Sequence, residues 1–144
     1  MKPIASLSPI GTITAQLGHQ IELGAGPKGT RLISDVVSLK LTSEKINATL
    51  AGNDAADWLT ISENGKLGSL DVRFTLVTED GAFIYVEYSG RANMESGLIA
   101  AAPTFQTSHK KYLWLNRIQA VAAGKIDDQG ELVYRLYQVK VSTS

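Results

Sequence analysis

Leu70-Asp71-Val72-Arg73-Phe74-Thr75-Leu76-Val77 leads through Glu79-Asp80-Gly81 into Phe83-Ile84-Tyr85-Val86-Glu87-Tyr88-Ser89, and the reading of this stretch decides the fold class. On both sides of the break the residues alternate with a period of two, the signature of a half-buried strand. Asp80-Gly81 suits a tight reversal, because Gly tolerates positive φ and Asp hydrogen-bonds its own backbone. Leu70 to Ser89 therefore reads as an antiparallel β-hairpin turning at Glu79-Asp80-Gly81.

Working outward, the same period recurs. Thr30 to Lys40, Tyr112 to Val121 and Glu131 to Val141 are rich in β-branched and aromatic residues, and Gly11 to Leu17, Gln20 to Leu23, Lys45 to Leu50 and Trp58 to Ile61 are shorter candidates. Tyr112 to Val141 reads as a second hairpin, closed near Lys125 to Gly130. Arg91 to Ala102, broken by Gly97 and stopped by Pro103, reads as a loop with at most a short helical turn, of a length that often covers a site. Eight or nine short strands, by this reading, with no helices to cover an open sheet imply an all-β sandwich or closed barrel. With 144 residues the chain is expected to form a single domain, 1–144.

Composition removes several function classes. Hydrophobic residues make up 44% and charged residues 19%, which suits a packed core. Fourteen Lys and Arg balance fourteen Asp and Glu, so no cationic excess exists to neutralise nucleic-acid phosphates or a charged membrane surface. Zero cysteines exclude disulfides, thiolate metal sites and thiol catalysis. A polar start and the lack of a long apolar run make a cytoplasmic location the expectation. Zero net charge and exposed strands leave room for a homo-oligomer.

Gly24-Ala25-Gly26-Pro27-Lys28-Gly29 spells G-x-G-x-x-G, yet a strand follows where a dinucleotide site needs a helix N-terminus, so it reads as a loop. His19 and His109 stand far apart and outside any metal-ligand spacing, and Asp127-Asp128 reads as turn chemistry; no metal and no cofactor is expected. Asp71 and Arg73 share one strand face. Facing an enclosed lumen, Arg73 would hold a developing oxyanion while Asp71 orients it; facing outward, the pair is solvated or structural. Asp57, clear of the Arg73 field, would be the better general base, with Trp58 as an aromatic floor, or else Trp58 is a core anchor and Asp57 a turn cap. Trp114 and Asn116, read as neighbours on one strand face, suit either an apolar pocket with a placed polar group or a core asparagine. Tyr85 and Tyr88 fall on opposite faces, so at most one looks inward.

Asp57-Trp58, Asp71-Val72-Arg73, Asp80-Gly81, Tyr88-Ser89-Gly90, Pro103-Thr104-Phe105-Gln106-Thr107 and Tyr112-Leu113-Trp114-Leu115-Asn116 together resemble the DUF3237 (UPF0311) family over about Ala56 to Val139. Family members tend to carry Gly-Gly where this chain has Asp35-Val36-Val37-Ser38 and Asn53-Asp54-Ala55-Ala56, and an acid where Gln106 stands. The resemblance implies a compact antiparallel β-barrel, calycin- or lipocalin-like, with an interior ligand cavity. It leaves the substrate open. The combined reading favours a cofactor-independent enzyme of the isomerase, lyase or cyclase type acting on an aromatic or oxygenated metabolite. Asp57, Asp71 and Arg73 would be its catalytic residues, and Trp58, Tyr88, Trp114 and Asn116 its substrate contacts. The alternatives are a non-catalytic barrel that binds an apolar or aromatic small molecule, and a structural module.

Overall fold

In the computed structural model, which describes residues Met1–Ser144, the chain forms ten strands and one 3-10 helix. In order they are β1 (Pro3–Gly26), β2 (Gly29–Thr42), β3 (Asn47–Leu50), β4 (Ala56–Ile61), β5 (Leu67–Thr78), β6 (Phe83–Asn93), β7 (Leu98–Ala101), β8 (Thr104–Gln106), the helix Lys110–Arg117, β9 (Ala120–Ile126) and β10 (Glu131–Thr143). All pairings are antiparallel. They run β5-β4-β2-β1-β10-β9-β7-β6 and return from β6 to β5, so the sheet closes on itself. β3 bridges β2 and β5 beyond the end of β4, and β8 pairs with β6. The expected closed barrel is present, and closure leaves the ring without open edges.

The decisive hairpin has the expected register, Leu70 opposite Gly90 and Leu76 opposite Ile84. Its turn is locked by Thr78, whose Oγ1 accepts from the Ala82 N–H at 2.9 Å, and by Gly81 at φ +83°. Leu70, Val72, Phe74 and Leu76 face inward and are buried, while Asp71 and Arg73 are exposed on the outer wall. The lumen orientation considered for that couple is thereby overturned. The inner row of β5 is filled by four large apolar side chains, and the acid and the cation of the alternate row keep their hydration outside.

β2 needs one irregularity to keep its apolar face inward. Gln16 pairs with Ser38 but Leu17 with Val36, so Val37 is the extra residue of a bulge. The bulge lets Val36 and Leu39, three apart, both point into the core. Gly18 permits it: a Cβ there would overlap Val37.

Other sequence expectations need correction. Gly11–Leu17 and Gln20–Leu23 belong to one strand of 24 residues. The loop expected over Arg91 to Ala102 is the end of β6, a turn at Gly97 with φ +79°, and β7. Tyr112 to Arg117 is 3-10 helix, so the second hairpin begins only at Ala120. His109 caps this helix, its Nδ1 accepting from the Lys111 N–H at 3.3 Å, and Tyr112 and Leu115 turn into the core. Asp80 anchors the helix to the β5–β6 turn. It accepts from Thr78, from the Tyr112 hydroxyl at 3.0 Å and from Lys111 at 3.5 Å, and the Thr78 hydroxyl above all holds its carboxyl down to about 2. The helix thus stops the end of the barrel at which this turn sits. No helix of the chain is long and apolar enough to cross a membrane.

Inward Phe74 and outward Arg73 predict opposite costs. Phe74→Ala is expected to lose ~3–5 kcal/mol in urea denaturation, as buried aromatic truncations do. Arg73→Ala should lose no more than ~1 kcal/mol, the scale of an exposed cation–π contact. Equal losses at the two positions would contradict the orientation.

Candidate functional site

Away from the capped end, the interior narrows to an apolar hollow with a single charged group. It is bounded by Leu70, Val72 and Phe74 of β5, Leu132 and Tyr134 of β10, Tyr88 of β6, Val36 and Leu39 of β2, and Asp57 of β4. Its volume is about 40 Å³, and thirteen of its fourteen lining residues are hydrophobic. Leu17 and Ile126, at its outer end, are only half-buried.

Asp57 is on the inner face of β4, in phase with Leu59 and with Ala55 just before the strand, and it is 8% exposed. Its Oδ1 accepts the backbone N–H of Asp71 across the β4–β5 pair at 3.1 Å. Burial pushes its pKa up from 3.8 to about 6; the Asp71 N–H and the more distant Arg31 pull the other way, and the Asp71 charge adds to the rise. The result is a carboxyl that exchanges its proton near neutrality.

Two phenols share the hollow. Tyr88 is 9% and Tyr134 2% exposed, and their rings meet edge to face with centroids 5.7 Å apart; Phe74 packs on Tyr88 in the same manner at 6.3 Å. Burial raises both phenol pKa values, so both remain protonated donors at any ordinary pH. The Tyr88 hydroxyl is directed at Tyr134 Oη without reaching good hydrogen-bond geometry, and the Tyr134 O–H itself has no acceptor. The Tyr134 ring is held over Gly124, its cross-strand neighbour, where a Cβ would overlap the ring.

Of the residues singled out from sequence, Asp57 and Tyr88 are brought together here and the others are not. Trp58 faces outward, half-buried, with the Arg73 guanidinium 4.4 Å above its ring and the Arg31 guanidinium on its carbonyl at 2.9 Å. Asp71 touches the site through its backbone N–H, while its exposed carboxylate acts on Asp57 only as a charge outside the wall. Trp114 is on the 3-10 helix at the opposite end, with Lys45 5.2 Å from its ring centre. Asn116 clasps both backbone groups of Thr107 at 2.8 Å, which fixes the approach to the helix. Asp127 Oδ1 caps the β9–β10 turn through the N–H groups of Gln129 and Glu131. Tyr134 was missed, although its phase with Leu132 and Leu136 marks it as inward.

Fold and site together define a class: a closed antiparallel β-barrel whose apolar hollow carries one carboxyl and two phenols. The chain belongs to the DUF3237 family, described as a protein of unknown function, whose pattern matches residues 5–139. A UPF0311 protein of Bradyrhizobium diazoefficiens is 28% identical, the match covering 80% of this chain and 84% of the relative. Two similar solved structures have TM-scores of 0.86. One is a β-barrel-like protein of Acinetobacter baumannii, 25% identical, covering 97% of this chain and 99% of its own. The other is a conserved protein of unknown function from Rhodopseudomonas palustris, 26% identical, covering 96% and 100%. A Penicillium herquei protein described as an enzyme shares the fold alone, at 21% identity and a TM-score of 0.68 over 97% and 96% of the two chains.

The Asp57 shift fixes a sign. Its pKa is higher folded than unfolded, so the folded state binds the extra proton, and stability falls as pH rises from about 4 through about 6. A shift of this size corresponds to at most ~3 kcal/mol. Asp57→Asn, whose amide oxygen can still accept from Asp71, should flatten that part of a stability–pH curve measured by urea denaturation.

Proposed function

We propose that this protein is an enzyme that moves a proton on a small oxygenated molecule held in the barrel hollow, with no cofactor required. The observation that carries this reading is Asp57, the lone carboxyl of an apolar hollow, raised to about 6 beside two neutral phenols. At pH 7 such a group is mostly ionised yet basic enough to take a proton from carbon next to a carbonyl, and once protonated it can return that proton elsewhere. Tyr134 and Tyr88 donate hydrogen bonds to the oxygen that gains charge. Isomerisation, elimination and cyclisation are the fitting reactions. In isomerisation and cyclisation the electron pair stays on the substrate and the proton returns at another atom. In elimination the C–H pair becomes the new double bond, and the leaving group departs with its bonding pair and takes the proton from Asp57. Arg73 has no part in this scheme, since it is on the outer wall.

The test is exchange of carbonyl-adjacent hydrogens with deuterated water, followed by NMR over a set of ketones and lactones. The wild-type protein should accelerate exchange in some member of the set, and Asp57→Asn should cut that acceleration ~10²–10⁴-fold while remaining folded. Binding without any Asp57-dependent exchange would instead identify a non-catalytic small-molecule barrel.

A further inference from the structure

We infer that the ligand enters the hollow head first, as an uncharged molecule whose carbonyl-type oxygen takes the Tyr134 hydrogen bond while its apolar body stays at the mouth between Leu17, Ile99 and Ile126. This inference rests on the reading of the hollow as the site and adds the substrate class and its pose.

Three observations carry it. The first is size: about 40 Å³ is room for roughly three waters, each needing ~10–15 Å³ of such space, so a compact head fits and an extended body does not. Anything larger must leave its bulk outside, where Leu17 and Ile126 are half-buried and Ile99 completes an apolar collar. The second is the donor. The Tyr134 O–H is buried, has no acceptor and is fixed by Gly124 behind its ring, and a buried donor left without an acceptor is costly. A ligand that brings an acceptor removes that cost; one that brings only another donor does not. The third is charge. No Lys, Arg or His lines the hollow and Asp57 does, so an anionic head would lose its hydration and face a carboxylate. Arg31, which acts on Asp57 only at a distance, is committed to the Trp58 carbonyl, and Arg73 to the Trp58 ring on the outer wall.

The probes are 2-heptanone and heptanoate, which share an alkyl body and differ in the head. Each is titrated at pH 8 into protein carrying labelled Leu and Ile methyl groups and followed by NMR. The ketone should shift the Leu17, Ile99 and Ile126 methyls saturably and bind at least ~10-fold more tightly than heptanoate. Tyr134→Phe, which keeps the ring on Gly124, should weaken the ketone ~3–10-fold, the worth of one neutral hydrogen bond. Tyr88→Phe serves as a second variant should the first fail to fold, and the preference between heads in the wild type needs neither. Heptanoate binding as well as the ketone, or a ketone indifferent to Tyr134→Phe, overturns the pose and ligand class while leaving the hollow a site. No shift at these methyls with either probe overturns both.

Discussion

Closing the strands into a ring leaves an interior that admits every second residue of each strand and turns the others out to water, and each functional assignment follows from that sorting. Because the side-chain period is two, the ring decides in one stroke that Leu70, Val72, Phe74 and Leu76 pack together and that Asp71 and Arg73 are exposed. The same parity brings Asp57 inside, between Ala55 and Leu59. An ionisable group delivered to such a place has few ways to be satisfied. Asp57 finds one backbone N–H, and its proton affinity rises until it titrates near neutrality. Asp80 shows the opposite limit: at the rim, surrounded by hydroxyls and a lysine, it is held down to about 2 and serves as an anchor. Two carboxyls of one barrel are thus set to different work by surroundings alone.

How much of this was legible in the sequence depends on whether a residue's fate was set locally. The Leu70–Ser89 hairpin was readable because its strands and its Asp80-Gly81 turn are short-range signals, and the barrel class followed from repetition of the pattern. The inner face was not readable. Leu70, Val72, Phe74 and Leu76 make one regular row and Asp71, Arg73 and Thr75 another, and a polar lumen is as consistent with that alternation as an apolar one. Only closure around side chains of this volume chooses. The helix Lys110–Arg117 was hidden for a related reason: Tyr112 and Trp114 favour strands intrinsically, and the helix depends on the His109 cap and on an Asp80 thirty residues earlier. Once that segment is helical, the shared face inferred for Trp114 and Asn116 disappears. Asp57 was legible as a candidate because the carboxyl beside Trp58 stood apart from the Arg73 charge. Tyr134 had the phase but no chemical flag, since a tyrosine in an apolar row looks like ordinary core until its hydroxyl is found without an acceptor.

The pairing of Pro3 with Thr143 and of Gln16 with Glu131 has a consequence for how the molecule is born. The seam of the cylinder is made from opposite termini, so β1 cannot be zipped shut until more than a hundred later residues have emerged. At ~5–20 residues per second, that is a wait on the order of ten seconds. Throughout it one rim of β1 is bare, with Ile13 and Ala15 uncovered. The β1–β2 and β5–β6 ribbons, made of near neighbours, can assemble during translation. The final seal is a long-distance event, and the nascent chain's exposure to chaperones and to sticky encounters with its own kind is set by that single late stitch.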